Sequence, residues 1–310
     1  MTKKTLKTIL ITGCEGFAGS YLCKILQEAL YKVYGTCRPL TATMRDECIP
    51  LDILNHAMAK DVLMNYKPDI IMHLAAITSV GKSLRDPLRT YNTNVLGTVN
   101  LIEACRGYDR NVRFIHFSSS EVYGGGEKCK ETDDIVLRNP IAVSKYAAEL
   151  VVQHTSIPQL EYVVLRPFSH TGPGHSEDYV LPSIAKQIAE IEQNKRPPLL
   201  ELGNLDVVRE FNNISDIVIA YRYAIEKCAP GELYNISSGK GHSVTDALAV
   251  FRRLSKVDFE VKTVPAKVRK DDIKILVGDG KKFTSCTGWK PQIPFKKTIE
   301  DLLNFWRAKI

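Results

Sequence analysis

The run Gly13-Cys14-Glu15-Gly16-Phe17-Ala18-Gly19 follows a short apolar strand segment and opens an apolar helical one, and no other feature of the chain restricts its fold as strongly. Glycines at these three places let the backbone turn tightly, approach a pyrophosphate and pack the helix closely on the strand. The unpaired N–H groups of the helix's first turn then face the anion. Gly13, Gly16, Phe17 and Gly19 are therefore expected at a dinucleotide.

The first half of the chain continues in the same rhythm. Apolar, β-branched runs at Thr8 to Thr12, Lys32 to Thr36, Asp69 to Leu74, Arg113 to Ser118 and Tyr162 to Arg166 predict strands. The segments Ala18 to Leu30, Thr90 to Cys105 and Val143 to Thr155 predict helices between them. Crossovers of this length join parallel neighbours, so the expectation is an α/β fold: a Rossmann-type doubly wound parallel sheet with helices on both faces. After Pro167 the alternation breaks into Gly/Pro loops and helices at Leu181 to Gln193, Ile214 to Lys227, Val244 to Leu254 and Ile299 to Trp306. Residues 1–167 are expected to form the dinucleotide-binding domain. Residues 168–310 are expected to form a smaller α/β portion that closes over the sheet's carboxyl edge, with some chain crossing back.

Composition narrows the function. A chain of 310 residues with 44% hydrophobic content buries a core without staples. Its eight cysteines are scattered and form no C-x-x-C pair, so no metal site and no disulfide framework is indicated. Met1-Thr2-Lys3-Lys4 runs straight into a strand and no apolar span reaches membrane length, so a cytoplasmic protein with no leader and no membrane partner is expected. The net charge of +7 comes from dispersed Lys and Arg with no basic block between aromatics, which points to a local anion site and away from nucleic acid. About 20 residues beyond the glycines, where a dinucleotide fold places an acid on the adenosine ribose, stands Thr36-Cys37-Arg38. A guanidinium there matches a 2′-phosphate, which favours NADP(H) and leaves NAD(H) open.

Further motifs carry a resemblance. Leu51-Asp52-Ile53, His73-Leu74-Ala75-Ala76, Asn94-Val95-x-Gly97-Thr98, Ser118-Ser119-Ser120-Glu121-Val122-Tyr123-Gly124 and Ser144-Lys145 resemble the extended short-chain dehydrogenases/reductases that modify nucleotide sugars. Arg166-Pro167-Phe168-Ser169-His170-Thr171-Gly172, Gly203-Asn204-Leu205, Arg209-x-Phe211 and Thr287-Gly288-Trp289-x-Pro291 extend the resemblance to the end of the chain. The pattern is most similar to GDP-4-keto-6-deoxy-D-mannose reductases, followed by GDP-mannose 4,6-dehydratases.

The resemblance implies roles. Asp52 contacts the adenine, with Ile53 beside it in the cofactor site, and Leu74, Ala75 and Ala76 line the cofactor cleft. Ser119 hydrogen-bonds the oxygen on sugar carbon 4. Lys145 holds the nicotinamide ribose and lowers the pKa of a catalytic tyrosine four residues earlier. That position is Ile141, which has no titratable group. Ser119, Glu121, His170 or a water relayed to Lys145 are the candidates to move the proton. Glu121 stands where the dehydratases remove a proton from carbon 5; its plain alternative is a satisfied loop carboxylate. Ser169 replaces the Asn that reductases carry before His170. Arg209 and Arg269 fall where the family grips the substrate diphosphate with paired guanidiniums. Asp272 falls at the ribose hydroxyls and Lys186 near the base or phosphate. A homodimer is implied, formed by the helices Thr90 to Cys105 and Ile141 to Thr155.

The expected function is a nicotinamide-dependent oxidoreductase acting at carbon 4 of a GDP-linked hexose or heptose. A GDP-mannose 4,6-dehydratase-type lyase is the rival enzyme class, distinguished by consuming no net cofactor. A non-catalytic module that binds dinucleotide and GDP-sugar is the third reading, raised by Ile141.

Overall fold

The computed structural model describes residues 6–38, 48–268 and 272–310. Its first strand, Thr8–Thr12 (β1), passes through the glycine turn into Phe17–Glu28 (α1), then Lys32–Cys37 (β2) and the short Ile49–Pro50 (β3). His56–Tyr66 (α2) leads to Ile70–His73 (β4). Val80–Arg85 (α3), Pro87–Tyr91 (α4) and Gly97–Arg106 (α5) precede Val112–Phe117 (β5). Gly126–Cys129 (β6), Pro140–His154 (α6) and Leu160–Pro167 (β7) complete the first half.

The main sheet has the order β7-β5-β4-β1-β2-β3 for these strands, and a further strand, Glu232–Ile236, lies outside β7 as its seventh member. Every pairing in it is parallel. The strand order reverses between β1 and β4, and a crevice opens at that switch point beyond the strands' carboxyl ends. Side chains alternate across β1: Ile9 and Ile11 pack with Leu22 and Leu26 of α1, while Leu10 faces the opposite core with Leu63 and Leu101. Burial on both faces explains why these strands read as continuous apolar runs. Each fully buried leucine or isoleucine contributes about 1.5–3 kcal/mol relative to exposure.

The second half begins with His170–Thr171 (β8), Val180–Glu192 (α7), Leu199–Leu202 (β9), Val208–Arg209 (β10), Asn212–Asn213 (β11) and Ile214–Lys227 (α8). Glu232–Ile236 (β12) then returns to the main sheet. His242–Ser243 (β13), Val244–Leu254 (α9), Glu260–Thr263 (β14), Ile275–Gly278 (β15), Lys281–Thr287 (α10) and Phe295–Lys309 (α11) follow. A smaller sheet of order β13-β10-β15-β6 draws one strand from the first half, and the pairs β8/β11 and β9/β14 complete the set. α7, α9 and α11 bury their own core around Ile188, Phe251 and Leu303.

Two expectations need correction. The helix expected over Thr90 to Cys105 is α4, one wider π turn at Asn92–Leu96, and α5. That turn carries the buried Asn94, whose side chain grips the backbone of Ile77: Oδ1 accepts from Ile77 N at 2.7 Å and Nδ2 donates to Ile77 O at 2.9 Å. The last helix starts at Phe295, four residues before the expected Ile299, because Pro294 ends the preceding loop and Phe295 packs against Phe211.

Candidate active site

The cofactor end is built from β1, α1 and the loop after β4. Gly13 has φ +73°, and a Cβ there would stand 2.9 Å from both Ala75 N and Ala75 Cα. A Cβ on Gly19 would lie 2.3 Å from Gly13 O. These glycines let the turn press against the Leu74–Ala75–Ala76 segment at the switch point. Gly16 caps α1 with no side-chain acceptor and no acid stands in the first turn, which leaves the helix N-terminus to an anionic ligand. Ala75 N donates to Thr12 Oγ1 at 3.2 Å, and Leu74, Ala75 and Ala76 are half-buried along this edge. The residues present thus fit a dinucleotide pyrophosphate.

Asp52 and Ile53 follow β3. Asp52 Oδ1 accepts from Leu54 N at 2.9 Å, and Ile53 is buried against Gly97, where a Cβ would come within 2.5 Å of Ile53 Cδ1. Arg38 is exposed just past β2. The second half closes on this end: Phe17 stacks on His175 at 4.3 Å between ring centroids and faces His170 at 6.1 Å. Tyr21 donates to Pro173 O at 2.8 Å.

The chemical centre lies at the carboxyl end of β5. Lys145, on α6, is 5% exposed and donates from Nζ to Phe117 O at 2.7 Å, two residues before Ser119. Burial pushes its ammonium down to about 8. Behind it, His73 is locked neutral: its Nδ1 meets Thr12 Oγ1 at 2.8 Å and its Nε2 meets Thr98 Oγ1 at 3.0 Å. Burial, then the charge of Lys145, pushes His73 down to about 3. Ser119 Oγ accepts from Glu121 N at 3.2 Å, so its hydroxyl proton stays available to donate.

Glu121 Oε2 accepts from Asn139 Nδ2 at 2.9 Å, and Asn139 Oδ1 accepts from Ala142 N at 2.9 Å as the cap of α6. Ile141 occupies the place four residues before Lys145, one turn up the same helix face, and is 2% exposed. Tyr146 turns away into the cluster of Val122, Tyr123 and Phe168. Ser144 Oγ accepts from Asn94 Nδ2 at 2.9 Å, which ties α6 to the π turn and through it to Ile77. Asn94 was quoted from the sequence only as part of a motif, and neither it nor Asn139 was given a role. Asn139 carries a visible signal, since an Asn-Pro pair before an apolar run marks a helix start.

His170 donates from Nδ1 to Phe168 O at 3.1 Å, and burial pushes its pKa down, so it stays neutral and offers Nε2 as an acceptor. Ser169, beside it, receives Asn212 N on its carbonyl at 3.1 Å. Farther along the second half, Arg209 on β10 pairs with Asp272 at 3.4 Å, and Asp272 also accepts from Asn204 Nδ2 at 3.0 Å. Arg269 lies outside the described residues. Lys186 is engaged elsewhere, by Glu177 and by Glu190 at 3.8 Å, in a polar cavity of about 160 Å³. The structure thus joins the expected cofactor residues at one crevice, Ser119, Glu121 and Lys145 around β5 and α6, and Arg209 with Asp272.

Comparison with known proteins agrees with this layout. The sequence profile of the family described as GDP-mannose 4,6 dehydratase matches residues 10–302. A GDP-6-deoxy-D-mannose reductase of Pseudomonas aeruginosa is 31% identical over 97% of this chain and 98% of its own. A GDP-6-deoxy-D-talose 4-dehydrogenase of Aggregatibacter actinomycetemcomitans is 31% identical over 90% of this chain and 91% of its own. The structure of RMD from Pseudomonas aeruginosa complexed with NADPH superposes with a TM-score of 0.86 at 30% identity, covering 98% of this chain and all of that one. With a Rossmann-type sheet, a glycine cradle at its switch point and a match along almost its whole length, the chain belongs to the GDP-mannose 4,6-dehydratase family.

Proposed function

We propose that this chain is a cytoplasmic nicotinamide-dependent oxidoreductase acting at carbon 4 of a GDP-linked sugar, as a GDP-4-keto-6-deoxymannose reductase or a GDP-hexose or GDP-heptose 4-dehydrogenase. The observation that carries the reading is the bond from Lys145 to Phe117 O, which sets a buried ammonium at the sheet's carboxyl edge, on the strand end that leads into Ser119. Among the described residues no helix is long and apolar enough to cross a membrane. The nicotinamide, when bound, donates hydride to carbon 4 or accepts it.

Gly13, Gly16, Phe17 and Gly19 hold its pyrophosphate, Asp52 and Ile53 its adenine, and Arg38 a 2′-phosphate, which favours NADP(H) over NAD(H). Leu74, Ala75 and Ala76 wall the cleft. Residues 168–310 carry the GDP-sugar, with Arg209 and Arg269 on the diphosphate, Asp272 on ribose hydroxyls, Lys186 near the base or phosphate, and Ser169 and His170 toward the hexose. Ser119 donates its hydroxyl to the oxygen on carbon 4.

Lys145 takes the part of the absent tyrosine. In reduction its ammonium passes a proton through the Ser119 hydroxyl to that oxygen; in oxidation its amine receives it. His170 is disfavoured for this role because burial holds it neutral with Nδ1 committed to Phe168 O. Exposed Leu84, Leu88, Leu96 and Val143 on α3, α4, the π turn and α6 support a homodimer through this face.

The lyase reading keeps one supporting observation: Asn139 holds the Glu121 carboxylate in place. Incubation with GDP-mannose, its 4-keto-6-deoxy derivative and GDP-heptose, each with NADPH and with NADP⁺, separates the readings by mass spectrometry and nicotinamide absorbance. One nicotinamide converted per sugar is expected. Dehydration of GDP-mannose with no net nicotinamide change would establish the lyase, and no turnover of any sugar the binding module.

A further inference from the structure

Four of the eight cysteines converge beside the glycine turn although they are far apart in sequence. Cys14 lies in the turn, Cys23 in α1, Cys37 at the end of β2 and Cys48 just before β3. Cys14 Sγ and Cys48 Sγ stand 3.0 Å apart, Cys14 also hydrogen-bonds Cys23, and Cys37 hydrogen-bonds Cys48. Gly35 makes room for them, since a Cβ there would meet Cys14 Sγ at 2.7 Å. Glu15 adds a carboxylate: one of its oxygens and the sulfurs of Cys37 and Cys48 all lie within 4.8 Å of one another.

Three donors from separate segments with that mutual reach fit around one cation at metal–sulfur distances of about 2.3 Å and metal–oxygen distances of about 2.0–2.2 Å. Two thiolates select a soft or borderline metal over magnesium or calcium.

We propose that Glu15, Cys37 and Cys48 bind one thiophilic divalent cation of the zinc class. The cation braces the glycine turn against β2 and β3 at the adenosine end of the crevice. The site takes no part in the proton transfer at carbon 4.

The test titrates the full, reduced chain with Co²⁺. Sulfur-to-cobalt charge-transfer absorption saturating at one equivalent, reversed by Zn²⁺, is expected. It should vanish in the Cys37→Ser/Cys48→Ser double variant and survive in Cys286→Ser, which alters an exposed cysteine. Absence of the absorption, or its persistence in the double variant, overturns the site. Should the double variant fail to fold, X-ray absorption of the zinc-loaded wild type decides: a shell containing at least two sulfurs and one oxygen supports the site, and a shell of nitrogen and oxygen alone overturns it.

Discussion

The carboxylate of Glu121 and the amide of Asn139 are joined at 2.9 Å, and the same amide caps the helix that carries Lys145. One side chain therefore sets both the pose of a candidate acid–base group and the start of α6. The two duties separate by substitution. Asn139→Ala removes the cap, which costs about 1 kcal/mol of stability, and releases Glu121. Asn139→Ser keeps a capping oxygen but is too short to hold Glu121. Thermal unfolding should register the loss in the alanine variant and spare the serine one; turnover at carbon 4 should be kept in the serine variant, because Lys145 carries the proton, and a fall there would give Glu121 a part in the chemistry.

Arg38 stands where the adenosine 2′-phosphate is proposed to dock. Charge-assisted hydrogen bonds to such a group are worth about 1.5–3 kcal/mol. Arg38→Ser is therefore expected to weaken NADPH binding by roughly ten- to hundredfold and to leave NADH binding within a few fold. Fluorescence titration of both nucleotides checks this, and equal weakening of the two would remove Arg38 from the phosphate.

Arg166 and Glu149 form a bidentate pair at 2.6 and 3.0 Å with side chains 4% and 1% exposed, and Arg166 also donates to Tyr123 Oη at 2.9 Å. Removing one partner leaves a buried charge uncompensated. Glu149→Ala should cost about 3–5 kcal/mol in denaturant unfolding.

Ile141→Tyr restores a phenol one turn from Lys145. A general acid–base group is worth about a hundred- to ten-thousandfold in rate, but the site is closely packed and the larger ring costs roughly 1–3 kcal/mol of stability. Turnover should rise by at least about tenfold, read in steady-state kinetics, with a lowered unfolding temperature.

Much of this molecule was legible from its residues. β1 and β4 announce themselves because strands buried on both faces must be apolar throughout, β2, β5 and β7 show themselves by their β-branched and aromatic runs, and the glycine turn is fixed by the close approach of Ala75. β12 was not legible: Glu232–Ile236 reaches the sheet from the second half, and only tertiary pairing with β7 makes it a strand there. The π turn at Asn92–Leu96 follows from contacts of Asn94 with Ile77 and Ser144, which helical periodicity does not encode. The cysteine cluster was hidden for the same reason, since the β1-α1-β2 topology, not spacing, brings Cys14, Cys37 and Cys48 together. At the site, Ser119, Lys145 and Lys186 were all named through resemblance, whereas the pairing of Lys186 with Glu177 was not legible, because it forms only in the fold.

The pH dependence of the reductive and oxidative rates tests the assignment of the proton to Lys145 most directly. Reduction needs its ammonium, so kcat should fall as pH rises through about 8. Oxidation needs its amine, so that rate should rise through the same point. Opposite limbs that both disappear in Lys145→Met would bear out the account. A reductive rate that stays flat between roughly pH 7 and 9 and breaks instead in the carboxylate range would contradict it and move the proton to Glu121.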